Sequence, residues 1–241
     1  MSLIDQHGRV VNYIRLAVTD RCNLRCHYCM PAEGIDYVDR QELLTYEEME
    51  RLLIILSREG VDKVRITGGE PFLRKGMMDF LTSLSQIRAL DQIHITTNGT
   101  LTKDLVPQLK HLGISGINLS LDSLDKERFS SITRRDNFDD VITTLVSLLE
   151  HQIPTKINMV VMKDQNLEDI HEMIELSRDK DISVRFIEEM PFNGSGVGFS
   201  GLEWNYQRIL EHIMTSYGDI EKIQDGPYST SLNYRIKDFK G

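Results

Sequence analysis

The chain has 241 residues, of which 40% are hydrophobic and 27% charged, and its 28 basic against 37 acidic side chains give a formal net charge of −9. That length admits one domain of the α/β-barrel size class or two small ones, with a full core, while the acidic surplus excludes broad binding to nucleic acid or to an anionic membrane. No run approaches the ~18 apolar residues that cross a bilayer, and Met1–His7 lacks the basic-then-apolar order of a secretory signal, so a cytoplasmic protein is expected.

In chain order, short β-like runs alternate with longer helical patterns. Strands are expected at Tyr13–Val18, Lys63–Thr67, Gln92–Thr96, Gly116–Ser120, Thr155–Met162 and Ser183–Glu188. Between them, Thr45-Tyr-Glu-Glu48 reads as a capping box opening a helix through Ser57, stopped by Gly60. Further helices are expected over Met77–Ile87, Thr102–Leu112, Phe138–His151, Asn166–Lys180 and Glu203–Ser216. Such β–α alternation predicts an α/β fold of parallel strands with outer helices, an open partial (β/α)₆ TIM-like barrel. The glycine-rich stretch Asn193–Gly201 reads as a loop, and Ile220–Gly241 as a short hairpin. Residues 1–218 would form the barrel and 219–241 the start of a C-terminal extension.

All three cysteines lie in Cys22-Asn-Leu-Arg-Cys26-His-Tyr-Cys29, directly after the first strand. Thiolates are soft donors that suit iron–sulfur clusters and zinc. Three on one loop can hold three irons of a [4Fe-4S] cube and leave the fourth open. A structural zinc site closes four ligands, and His27 lies too close in sequence to complete a tetrahedron comfortably. Clustered free thiols also argue for a reducing compartment and against a disulfide framework.

The strands carry polar residues at period two: Arg15; Arg65 and Thr67; His94 and Thr96; Asn118 and Ser120; Lys156 and Asn158; Arg185. Alternation puts them on one face of each strand, and if the apolar face meets the helices, the polar face lines the barrel interior. Four of these residues, Arg15, Arg65, Lys156 and Arg185, are cations, which anionic oxygens would satisfy. Salt bridges to an acid such as Glu188 are the plainer account of each taken singly. The Gly68-Gly69-Glu70-Pro71 turn follows the second strand, at the end where barrel active sites assemble.

CxxxCxxC with an aromatic residue before its last cysteine resembles the signature of the radical S-adenosylmethionine (SAM) enzymes. Thr19–Asn23, Tyr28–Pro31, Ile66–Pro71, Thr96–Gly99, Asn118–Asp122 and Arg185–Met190 fall in the order found in the GTP 3′,8-cyclase family of molybdenum cofactor biosynthesis. The resemblance implies a [4Fe-4S] cluster on Cys22, Cys26 and Cys29. It implies SAM contacts at Tyr28, Gly69, Ser120 and Met190, and GTP contacts at Arg15, Arg65, Thr96 and Lys156. SAM would be cleaved to a 5′-deoxyadenosyl radical that cyclises GTP. A flavodoxin- or ferredoxin-type electron donor and a homodimer are further implications.

Relatives of this kind carry a second cysteine triad for a second [4Fe-4S] cluster, followed by an Arg-rich stretch, and nothing in this sequence matches it. The expectation is a truncated form of a longer protein, with a natural short form as the alternative, and in either case a complete first cluster site, poor SAM cleavage and little cyclised GTP. Two other readings stay open: a different radical SAM reaction, such as peptide modification or enzyme activation, and a non-catalytic metal-binding module.

Overall fold

The computed structural model describes residues 3–190, 202–218, 220–225 and 231–241. Six strands form one sheet in sequential order: β1 (Tyr13–Ala17), β2 (Lys63–Thr67), β3 (Gln92–Thr97), β4 (Gly116–Ser120), β5 (Thr155–Val161) and β6 (Ile182–Glu188). β1, β2 and β3 pair in parallel, in a register that sets Arg15 beside Arg65 and Arg65 beside His94. β3 and β4 are likewise parallel, with Thr96 beside Asn118. Each strand boundary lies within one residue of its expected position.

The helices are α1 (Tyr46–Arg58), α2 (Met77–Ser85), α3 (Val106–His111), α4 (Lys126–Thr133), α5 (Phe138–Glu150), α6 (Asp169–Glu175) and α7 (Tyr206–Tyr217). α1 opens on the expected capping box: the Thr45 side chain accepts from Glu48 N, and the Glu48 side chain accepts from Thr45 N. Three expectations need correction. The helix expected over Thr102–Leu112 is α-helical only from Val106 to His111, after a 3₁₀ turn at Lys103–Leu105. α4 was not anticipated, although Asp125 caps it by accepting from Arg128 N at 2.7 Å. α6 starts at Asp169 because Asn166 uses its side chain to bind Met162 N and Val160 O and so forms a turn in place of the expected first helical residues, and it ends at Glu175, short of Lys180.

The chain divides into two compact units, residues 1–24, 35–119 and 139–155 in one and 25–34, 120–138 and 156–241 in the other. In the first, α1, α2 and α3 cover one face of β1–β3, where Leu53, Val64, Ile66, Leu84, Ile95 and Leu109 are all fully buried. Each such side chain contributes about 1.5–3 kcal/mol. The alternation predicted from the sequence holds here: in β2 the buried residues are Val64 and Ile66, and Arg65 and Thr67 are half-exposed.

The second unit has its own apolar centre, with Phe129, Ile132, Met159, Val161, Ile170 and Met173 at 1% exposure or less. Its C-terminal part carries the expected hairpin, β7 (Glu221–Lys222) antiparallel to β8 (Tyr234–Arg235). The glycine-rich stretch 193–201 lies outside the described residues. Among the described residues no helix is long and apolar enough to cross a membrane.

Candidate functional site

The segment leaving β1 is fastened by main chain. Val18 N donates to Thr67 O (2.9 Å), Gly69 N to Thr19 O (2.7 Å) and Glu70 N to Arg21 O (2.8 Å). This close approach dictates the two glycines: a Cβ at Gly68 would stand 2.3 Å from Thr19 O, and one at Gly69 would stand 2.1 Å from Arg21 O. Their first task is therefore to seat the turn against the start of the cysteine loop.

Glu70 follows, fully buried. Its carboxylate accepts from Phe72 N (3.1 Å), the Thr97 hydroxyl (2.8 Å) and Asn98 N (2.7 Å). Burial pushes its pKa up to about 6, and these three donors oppose the rise. Asn98, so anchored, points its amide Nδ2 at Asn23 Oδ1 (3.0 Å) and at Cys22 Sγ (3.6 Å). Its Oδ1 accepts from Thr100 N (3.0 Å) and the Thr100 hydroxyl (2.8 Å), and Asn23 Nδ2 closes the ring on Thr100 Oγ1 (2.8 Å).

In the second unit, Cys26 and Cys29 bracket a turn in which Cys29 N and Met30 N both donate to Cys26 O, at 2.8 and 3.0 Å. The end of α4 holds this turn: Arg25 N donates to Thr133 O (2.9 Å) and His27 N to Ile132 O (3.1 Å). Arg134, in the left-handed region at φ 55°, sends Nη1 back to Arg25 O (2.9 Å) and Met30 O (3.0 Å). A cavity of about 340 Å³ opens beside it, lined by His27, Ser131, Arg134, Met162, Lys163, Gln165 and Glu189. Burial and the Arg134 charge hold the His27 pKa below its ordinary value.

Tyr28 donates its hydroxyl to Asp122, whose pKa burial pushes up to about 6 against the opposing Val160 N and Tyr28 hydrogen bonds. Burial, and then the Asp122 charge, push the Tyr28 pKa well above its ordinary value.

The cations of β1 and β2 gather round one ring. Arg15 Cζ, Lys63 Nζ and Arg65 Cζ stand 5.8, 5.5 and 5.4 Å from the Tyr13 centroid. Burial and the neighbouring Arg65 charge lower the Lys63 pKa. The Asn118 amide, with its oxygen toward the guanidinium, accepts from Arg65 Nη1 (3.2 Å) and Nε (3.3 Å). The Thr96 hydroxyl stands 3.4 Å from the same end of that amide. Arg15, Arg65 and Thr96 are thus brought together on one face, as the alternation implied.

In the second unit Lys156 is exposed, Ser120 is half-buried, Arg185 Nη1 donates to Asn158 Oδ1 (3.3 Å), and Met190 is 69% exposed. Nothing in the sequence singles out Lys63, Glu70, Asn98, Asp122 or Arg134 for these roles, beyond the place of Lys63 two residues before Arg65; for the others only the fold reveals the partner.

The donor chemistry fits an iron–sulfur cluster. All three cysteines lie outside disulfides and are half-buried, and one sulfur already accepts a hydrogen bond from Asn98 of the kind thiolate ligands attract. Among the described residues no three His, Cys, Asp or Glu side chains are gathered for a single metal ion.

A family model described as the radical SAM superfamily matches residues 16–177. The chain is 39% identical over 239 residues to a GTP 3′,8-cyclase of Petrotoga mobilis, covering 99% of this chain and 72% of the relative. It is 38% identical to the mitochondrial GTP 3′,8-cyclase of Arabidopsis thaliana, covering 97% of this chain and 60% of that one. Against the molybdenum cofactor biosynthesis protein moc-5 of Caenorhabditis elegans it is also 38% identical, and spans 40% of that protein's length.

Among solved structures, SuiB of Streptococcus suis bound to S-adenosylmethionine superposes with a TM-score of 0.68 at 21% identity, over 88% of this chain and 50% of that one. The structure of anSMEcpe with bound AdoMet gives 0.65 at 18% identity, over 85% and 59%. These likenesses show the fold, the partial TIM barrel of radical SAM structures.

Proposed function

Because the chain belongs to the radical SAM superfamily, and within it to the GTP 3′,8-cyclase family, we propose that it is the SAM-cleaving part of a GTP 3′,8-cyclase of molybdenum cofactor biosynthesis. The observation that carries this reading is the cysteine loop, held by the Gly68–Gly69 turn at one end and by α4 at the other, inside the matched residues 16–177.

In this reading Cys22, Cys26 and Cys29 hold a [4Fe-4S] cluster. Tyr28, Gly69, Ser120 and Met190 contact SAM, and Arg15, Arg65, Thr96 and Lys156 contact GTP. When bound and supplied with an electron from a reductant, the cluster and SAM would supply hydrogen-abstraction chemistry directed at the GTP ribose. The residues' own work is placement. The loop's main-chain bonds fix where the sulfurs stand, Asp122 fixes the Tyr28 ring, and the guanidiniums of Arg15 and Arg65 offer planar, two-pronged donors for phosphate oxygens. Clamping both reactants in this way is worth several kcal/mol of barrier by orientation alone.

Since the chain spans only part of its relatives, a second cluster, an electron donor of flavodoxin or ferredoxin type, a homodimer and a cytoplasmic setting are proposed for the whole protein. Anaerobic reconstitution followed by dithionite reduction tests the reading. The expected result is 5′-deoxyadenosine formed slowly from SAM, dependent on all three cysteines and altered by GTP, with little cyclised nucleotide. A protein that binds iron and sulfide fully and yields no 5′-deoxyadenosine, even within a longer chain, overturns it.

A further inference from the structure

The Asn98 side chain reaches a sulfur of the cysteine loop. Nδ2 lies 3.6 Å from Cys22 Sγ, and the residue is 8% exposed. Its orientation is over-determined. Thr100 supplies two donors to Oδ1, which leaves Nδ2 for Asn23 and the sulfur. Glu70 holds the backbone of Asn98 through a 2.7 Å bond to its amide, and the Thr97 hydroxyl, donating to the same carboxylate, also accepts from Gly99 N at 3.0 Å. A turn built only to cap itself would need neither the buried acid nor the outward amide.

We propose that Asn98 is a positioning residue for Cys22 and that its amide N–H, donated to the Cys22 sulfur, raises the reduction potential of the cluster bound there. The inference rests on the reading that Cys22 is a cluster ligand. A donor aimed at a ligand sulfur withdraws charge from the thiolate and so favours the cluster that has gained an electron. The amide also fixes the direction from which the sulfur meets its iron. The carboxylate of Glu70, one residue further out, holds that donor in place without touching the sulfur.

Three variants of the reconstituted protein separate this from a purely structural role. Asn98→Ala removes the donor. Asn98→Asp keeps the shape and the acceptor for Thr100 but turns an oxygen toward the sulfur. Thr100→Val removes two hydrogen bonds of the same ring, its own hydroxyl to Asn98 Oδ1 and Asn23 Nδ2 to its oxygen, and leaves the sulfur contact.

Iron and sulfide content is measured first, then the midpoint potential by dithionite titration followed by electron paramagnetic resonance. Asn98→Ala is expected to shift the potential negative at unchanged iron content, Asn98→Asp to shift it further or to lose iron, and Thr100→Val to leave it in place. Equal potentials in wild type and both Asn98 variants, or the same shift in Thr100→Val, overturn the proposal. If wild type and Cys22→Ala hold the same iron and sulfide, it is the cluster reading that fails.

Discussion

Tyr28 donates its hydroxyl to Asp122 Oδ2 at 2.8 Å, and the other carboxylate oxygen accepts Val160 N at 2.9 Å. The aromatic residue inside the cysteine loop is thereby tied to a buried acid whose pKa burial raises from 3.8 to about 6. A raised carboxyl pKa means the fold disfavours the charged form. The contribution of Asp122 to stability is therefore fully present below pH 3.8 and is lost as pH rises to about 6. At 1.36 kcal/mol per pKa unit the loss is roughly 3 kcal/mol. Asp122→Asn should remove this dependence. In denaturant melts the stability of wild type relative to the variant should fall by that amount between pH 4 and pH 7; a difference that stays constant with pH would count against the assignment.

Gly69→Ala places a methyl 2.1 Å from Arg21 O, whereas Gly113→Ala meets nothing within 4 Å and only strains a φ of 71°. The first should cost 3 kcal/mol or more, since backbone must move to admit it, and the second about 1–2 kcal/mol. Thermal melts of the two variants distinguish contact from conformation. Similar shifts would show that the turn is not seated on residues 19–21.

Arg134 clamps the cysteine loop through two carbonyls. Arg134→Gly relaxes the left-handed backbone but removes both bonds, so global stability should change little while the loop opens more readily. Amide exchange at Arg25 and His27, which donate to Thr133 O and Ile132 O, should quicken about tenfold, equivalent to ~1.4 kcal/mol of local stability. Unchanged exchange would reduce Arg134 to a bystander.

The strands were legible because their apolar residues recur at period two, and α1 because Thr45 and Glu48 spell out a capping box. The cysteines were legible by spacing alone. α4 was not, despite its Asp125 cap, because eight residues with only Phe129, Ile132 and Thr133 buried make a faint pattern. The partners of Asp122 and Glu70 were hidden for another reason. Tyr28 and Asp122 are 94 residues apart, and Glu70 and Asn98 are 28 apart. A sequence shows that a residue can accept hydrogen bonds; only the fold shows whether water has been taken from it.

Arg65 is held by Asn118 and faces Tyr13. In the proposed reading, Arg65→Ala should weaken GTP binding by about tenfold to a hundredfold, the value of one charge-assisted contact of ~1.5–3 kcal/mol, and leave iron content and GTP-independent SAM cleavage unchanged. Anaerobic titration calorimetry measures the first and product analysis the second. Undiminished GTP affinity would place the nucleotide elsewhere.

Lys63 shares the Tyr13 ring with Arg15 and Arg65, and burial, then the Arg65 charge, lower its pKa. An incoming polyphosphate reverses the local sign and draws the pKa back up. In alkaline solution, where part of the Lys63 population has shed its proton, ligand capture must then take protons from the solvent. The apparent heat of binding will vary with the ionisation enthalpy of the buffer, and affinity will fall as alkalinity rises. In the proposed reading, the crowding of three cations around one tyrosine would thus make nucleotide binding a proton-consuming event.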